Sequence, residues 1–197
     1  LVKKGEKISE KSFVKTEKGS SLILQLPDGS TLKAGEESLI SMKELLSSPN
    51  CERKSYRIKI FFGKIWSNVK KVITQNEGES FKIESKNAVA GVRGTSFGVT
   101  VNQDNSGSVM VFEGVVEARN PKQDEKEQES KPLDIQAWKK NRSKEQVAGP
   151  KEVSKEVWES YILKAMQMIR FDANGRFSKP VPIGESNADT WYRENSK

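Results

Sequence analysis

The sequence predicts a mainly β protein, a stacked or sandwich-like antiparallel domain with a C-terminal helical extension. Three observations carry that reading. Apolar and polar residues alternate in run after run as far as residue 119, which is the period of half-buried strands. Turn-forming residues separate the runs at roughly eight to twelve positions, the spacing of a sandwich or a stacked β architecture. Beyond Pro150 the period changes, and apolar residues return at helical spacing.

Taken in order, residues 5–16 hold Ile8, Phe13 and Val14 between charges, a short polar-edged β segment. Gly19-Ser20-Ser21 turns into Leu22-Ile23-Leu24-Gln25-Leu26, where Leu22, Leu24 and Leu26 alternate. Pro27-Asp28-Gly29-Ser30 ends that strand in a turn. Proline presets φ, aspartate accepts a local hydrogen bond and glycine supplies positive φ. Thr31-Leu32-Lys33-Ala34 and Ser38-Leu39-Ile40-Ser41-Met42 read as further short strands. Residues 47–54 are a polar loop that should expose Cys51. An incidental surface thiol is preferred there over an intermolecular disulfide or a reactive sensor. Alternation resumes with Tyr56, Ile58, Ile60 and Phe62 inward, and Arg57 and Lys59 outward. Gly63 then interrupts before Lys64-Ile65-Trp66, as a bulge or a corner. Val69, Val72 and Ile73 follow, then the turn-rich residues 75–80, with Phe81 and Ile83 leading onward.

The next stretch is Asn87-Ala88-Val89-Ala90-Gly91-Val92-Arg93-Gly94-Thr95-Ser96-Phe97-Gly98-Val99. Thr95, Phe97, Val99 and Val101 share one face of a half-buried strand, and Ser96, Gly98, Thr100 and Asn102 take the other. Gly91 and Gly94 bracket Val92-Arg93, so the backbone can turn sharply or pass close to a neighbour. The planar five-donor head of Arg93 suits carbonyl groups left unpaired at a change of direction. That capping role is preferred over an ordinary exposed arginine, and both over a ligand contact. Residues 103–107 form the loop of a hairpin whose second strand is 109–112. Glu113-Gly114 interrupts that strand, with Gly114 as a bulge and Glu113 as an expected partner for Arg93.

Ala88-Val89-Ala90-Gly91-Val92-Arg93-Gly94-Thr95-Ser96-Phe97, followed by Val111-Phe112-Glu113-Gly114-Val115-Val116, resembles the signature of the FecR domain. Leu24-Gln25-Leu26-Pro27-Asp28-Gly29-Ser30 resembles that family's strand and turn, and Ser85-Lys86 stand where the family often has Thr-Pro. The resemblance covers residues 1–119. It marks Gly91, Arg93, Gly94, Thr95, Phe97, Glu113 and Gly114 as structural motif positions. It implies an exported bacterial envelope module of β-solenoid-like FecR type, in the periplasm or at the outer-membrane surface, without known catalysis. The chain opens Leu1-Val2-Lys3-Lys4-Gly5 without an initiator methionine. A natural N-terminus carrying an export signal or lipid anchor is therefore expected to precede it, and membrane association is expected only through such an anchor.

Residues 120–150 read as a polar linker, with no apolar residue but proline between Pro121 and Pro132. Leu133, Ile135, Ala137 and Trp138 make a short apolar patch within it. In residues 151–197 the expected helix spans 153–169, with Val153, Val157, Trp158, Tyr161, Ile162, Ala165, Met166 and Ile169 on one stripe. Trp158, Tyr161, Ile162 and Met166 form the candidate partner surface. Docking of this helix onto the β domain of the same chain is preferred over docking onto a partner or a second copy. Phe177, Val181, Ile183, Trp191 and Tyr192 stand in an irregular tail, available to clip onto another surface.

Composition narrows the function. The 197 residues hold no histidine and one cysteine, which removes imidazole bases, an internal disulfide and thiolate metal clusters. No catalytic residue, metal ligand or cofactor site is expected. Lys and Arg number 34 against 27 Asp and Glu, a net charge of +7. The basic residues are interleaved with glutamate and form no aromatic-basic stripe, so nucleic acid is not an expected partner. The first reading is a non-enzymatic envelope module that binds another protein in signalling or scaffolding. The second is an adhesion or cell-wall module whose basic surface binds acidic glycans. An enzyme working by paired carboxylates ranks third, because no such pair sits in a recognisable motif.

Overall fold

Strand β5 (Lys54–Asn68) is the spine of the molecule. Its alternation puts Tyr56, Ile58 and Ile60 into the core, but from Ile65 the inward residues fall on odd numbers, with Ser67 and Val69 following. The change of parity occurs around Gly63, whose φ is +106°. A side chain there would begin 2.1 Å from the Ser38 hydroxyl oxygen, which accepts a hydrogen bond from the Lys64 amide at 3.0 Å. Of the two expected alternatives Gly63 is therefore the corner, where β5 passes from its pairing with Leu39–Ser47 to its pairing with Thr31–Ala34 and Ser96–Val101, and no other residue fits.

The structure, a computed structural model, describes residues 2–47, 54–70, 81–92, 94–121, 160–184 and 190–195. Thirteen strands in these residues form one sheet that curls about β5 into two facing halves. The first half runs in the order β1 (Phe13–Lys15), β4 (Leu39–Ser47), β5, β6 (Phe81–Glu84), β7 (Val89–Val92), β10 (Val115–Arg119), β11 (Tyr161–Lys164). The second runs β2 (Leu22–Gln25), β3 (Thr31–Ala34), β5, β8 (Ser96–Val101), β9 (Gly107–Glu113), β12 (Gln167–Phe171), β13 (Val181–Pro182). Pairing is antiparallel except between β5 and β6. Ile58, Phe81 and Leu163 from one half meet Leu32, Phe97 and Ile169 from the other in a single core. The rings of Phe81 and Phe97 meet edge to face at 6.3 Å. The expected inward residues Leu26, Ile58, Ile60, Phe97, Val99 and Val111 are all buried there, and Leu24 packs half-buried against them.

The hairpin expected over residues 96–113 is present as β8 and β9. Its first strand differs from expectation in being buried on both faces. The reason lies in the tail. A short helix, α1 (Thr190–Asn195), lays Tyr192 over Gly98, and Tyr192 shares a second apolar cluster with Trp66, Met110 and Met168. A Cβ at Gly98 would lie 2.3 Å from the Tyr192 ring. The Tyr192 hydroxyl lies 2.9 Å from Thr100 Oγ1, and Trp191 packs beside Gly35. Ile183 and Trp191 join this cluster and Phe177 joins the main core, so these tail residues do clip on, while Val181 stays partly exposed.

The helix expected over 153–169 requires correction. Residues 153–159, including Trp158, lie outside the described residues, but 161–171 are two strands joined by a two-residue turn. β11 pairs with β10 and β12 with β9. Pairing with two waiting strands outweighs helical spacing here, because it buries Leu163, Met168, Ile169 and Phe171 and satisfies backbone groups. Met166 stands in the turn with φ +62°, which a helix would not allow. Among the described residues the helix is the six residues of α1. Residues 122–150 of the expected linker and Cys51 also lie outside the described residues.

Candidate interaction surface

The motif positions gather into a structural corner. Val89–Val92 forms β7, buried throughout, with Gly91 facing Lys82 of β6 and Glu117 of β10. Gly94 turns the chain at φ +64°, and the carbonyl of Thr95 accepts from the Val69 amide at 2.9 Å. Gly114, at φ +87°, presses on that turn. A Cβ there would lie 2.6 Å from Thr95 Cγ2 and 2.8 Å from the Gly94 carbonyl oxygen. Gly94, Thr95 and Gly114 are thus brought together, with Phe97 fully buried behind them. Glu113 is exposed, in register with Ser96. Arg93, its expected partner, lies outside the described residues. Thr95 Oγ1 and Ser67 Oγ are buried without a hydrogen-bond partner.

One residue of this stretch has a role the sequence reading missed. The Asn87 side-chain amide donates toward the carbonyls of Asn105 at 3.1 Å, Asp172 at 3.3 Å and Ala173 at 2.8 Å. It ties the β8–β9 loop to the turn after β12. The signal was an asparagine beside a small apolar run, which suits a buried polar staple as well as a turn. In that same turn, the Arg176 amide donates to Asp172 Oδ1 at 2.9 Å and, with Asn174, holds the Asp172 carboxyl below its ordinary pKa. Asp104 is lowered likewise, first by the Ser106 hydroxyl at 2.6 Å and then by the Ser106 amide. Both are exposed loop carboxylates that order their own turns. Among the described residues no group of acidic or cysteine side chains is arranged to hold a metal ion.

The candidate partner residues divide. Tyr161 turns inward, half-buried against Phe177 with ring centroids 5.5 Å apart. Ile162 is 65% exposed and Met166 51%. Val115 on β10, 52% exposed, faces outward with them and was not expected. Register places Val115 opposite Lys164 and Glu117 opposite Ile162, so the two apolar side chains are diagonal neighbours on one face. The signal was Val115-Val116 directly after Gly114, since of two consecutive valines in a strand one must face out. On this face Val115 and Ile162 take one diagonal and Lys164 and Glu117 the other, and exposed Met166 follows in the turn at the end of β11. That is the composition of a small protein-contact surface. No described helix is long and apolar enough to cross a membrane.

Two crystal structures of a candidate anti-sigma factor from Parabacteroides distasonis share this fold. Each matches with a TM-score of 0.53 and 16% identity over 87% of this chain. The chain spans 59% of the length of those proteins. No curated protein sequence matches it. Residues 12–117 match the family described as FecR protein, and that span holds the strand-and-turn motif, the buried β7 strand and the corner of Gly94, Thr95 and Gly114. The chain belongs to the FecR family.

Proposed function

We propose that this chain is a signalling-related regulatory module of the bacterial envelope that acts by binding another protein, without catalysis. Its family and its likeness to an anti-sigma factor support the regulatory class. The observation that carries the binding role is the outward group of Val115, Ile162 and Met166. These residues contribute little to the core of their own domain, and among the described strands β11 is the last of its half-sheet. A partner laid against this margin removes their apolar area from water.

A photo-crosslinking residue at position 162, in intact cells, tests the reading. The expected result is one envelope protein captured in quantity. Val115→Glu with Met166→Glu in that same crosslinking chain should lose the capture while the melting temperature stays within a few degrees. Capture unchanged by those charges removes the surface from consideration. Turnover of an envelope substrate, abolished by one carboxylate substitution, overturns the non-enzymatic reading.

A further inference from the structure

The opposite margin of the same half-sheet carries a second exposed apolar feature of different chemistry. Phe13 on β1 is 65% exposed although it lies in a strand. Its ring lies 5.9 Å from that of half-buried Phe61, and the Lys59 ammonium stands 5.2 Å from the Phe61 centroid. Register sets Phe13 beside Ser41 on β4 and Ser41 beside Lys59 on β5, so the three share a row on the outer face. The chain before β1 runs along this margin. The Lys11 amide donates to the Met42 carbonyl at 2.6 Å, and Ile8 packs on the core.

The segment that forms this margin is basic, although Glu36 of the loop before β4 accepts from the Gly19 amide just beyond it. Residues 2–18 hold six lysines (Lys3, Lys4, Lys7, Lys11, Lys15 and Lys18) against three glutamates, a local balance of +3 within the chain's +7. All three carboxylates are engaged by the protein itself. Glu6 accepts from the Lys3 amide at 2.9 Å, Glu10 from the Leu45 amide at 2.7 Å, and Glu17 pairs with Lys15 at 2.9 Å. All six lysines are exposed. An exposed aromatic side chain on a segment rich in exposed lysines is the arrangement that an anionic lipid surface attracts. The lysines approach the headgroups while the ring enters the interface. Acidic glycans share the charge, but a sugar site also needs side chains that hydrogen-bond hydroxyl groups. The one neutral polar side chain in this row, Ser41, is buried.

We propose that the β1 margin rests on an anionic bilayer surface, with Phe13 as the inserted residue and the lysines of residues 2–18 as the electrostatic attraction. In the first half-sheet β1 and β11 are the two ends, six strand spacings or about 29 Å apart measured along the sheet. Phe13 and Ile162 thus stand at opposite ends of that half-sheet.

The test is cosedimentation of the full chain with vesicles of phosphatidylcholine alone and of phosphatidylcholine with phosphatidylglycerol. Binding is expected only to the anionic vesicles, falling steeply as salt is raised. Phe13→Ser should weaken it roughly tenfold with the melting temperature kept, since this ring is mostly exposed already. Lys11→Glu with Lys15→Glu should abolish it. Val115→Glu with Ile162→Glu should leave vesicle binding as it was, so that failure of the protein-contact reading and failure of this one are told apart. Absence of binding to anionic vesicles overturns the proposal, as does binding indifferent to Phe13→Ser. A soluble acidic polysaccharide that binds with the same Phe13 dependence, where vesicles do not, assigns the surface to glycans and likewise overturns it.

Discussion

A Cβ at Gly98 would lie 2.3 Å from Cε1 of Tyr192, closer than any relaxation of a single ring can absorb without moving α1. Gly98→Ala is therefore expected to displace the helix and to cost about 1–3 kcal/mol, as overpacking does. Trp191 and the neighbouring Trp66 report the displacement as a loss of near-ultraviolet dichroism, and an unchanged spectrum would mean that α1 does not rest there. Asn87 is a second such residue. Asn87→Ala leaves the Asn105, Asp172 and Ala173 carbonyls short of a donor and should lower stability by about 1–3 kcal/mol in urea unfolding. Like Asp104, Asp172 contributes a pH dependence. Its folded pKa lies below the ordinary 3.8, so its contribution is present above that value and lost as the pH falls through the folded one. Asp172→Asn should thus differ from the parent at neutral pH, and the two unfolding midpoints should converge as the pH drops below 3.8.

At the scale of elements, the turn between β11 and β12 offers a test in which the sign decides. Met166 occupies the left-handed region at φ +62°, which costs a non-glycine residue about 1–2 kcal/mol. Met166→Gly should therefore raise stability, by about 0.5–1 kcal/mol. In a helix over 153–169 the same substitution would lower it by about 1 kcal/mol. A rise in the denaturation midpoint supports the turn, and a fall supports the helix. The sequence misled here for a physical reason. Two strands of four and five residues with a two-residue turn fit inside one helical window. Tyr161, Ile162, Met166 and Ile169 satisfy the helical period, while Tyr161 with Leu163, and Ile169 with Phe171, satisfy the strand period. Only the unpaired sides of β9 and β10 choose between them, and those are facts of tertiary structure. Elements whose partners are near in sequence were legible. The turn at Pro27-Asp28-Gly29-Ser30, the β8–β9 hairpin and the break at Gly63 all follow from local chemistry. The contact surface was half legible: Ile162 and Met166 were named as helical where the chain forms β11 and its turn, yet both are exposed. Val115 needed the register between β10 and β11 to bring it beside them.

At the scale of the molecule, the chain passes repeatedly between the two half-sheets, and each described passage holds one residue of positive φ: Gly19, Glu37, Gly63, Gly94, Gly114 and Met166. The FecR motif supplies two of these corners, Gly94 and Gly114, which explains a signature of glycines and small residues without chemistry of its own. The C-terminal hairpin belongs to the same scheme. β11 extends the first half and β12 extends the second, so the hairpin clasps both faces of the core well outside the 12–117 span that defines the family. Leu163 and Ile169, each fully buried, enter that core from opposite sides. Unfolding should then be one cooperative event, with the hairpin melting together with β5 and not before it. Ile169→Ala should lower stability by about 2–5 kcal/mol, as a buried large-to-small change does. It should shift the far-ultraviolet and tryptophan transitions by the same amount. If instead an early transition appears in the variant while the main one keeps its midpoint, the hairpin is an appendage and the fold ends with β10.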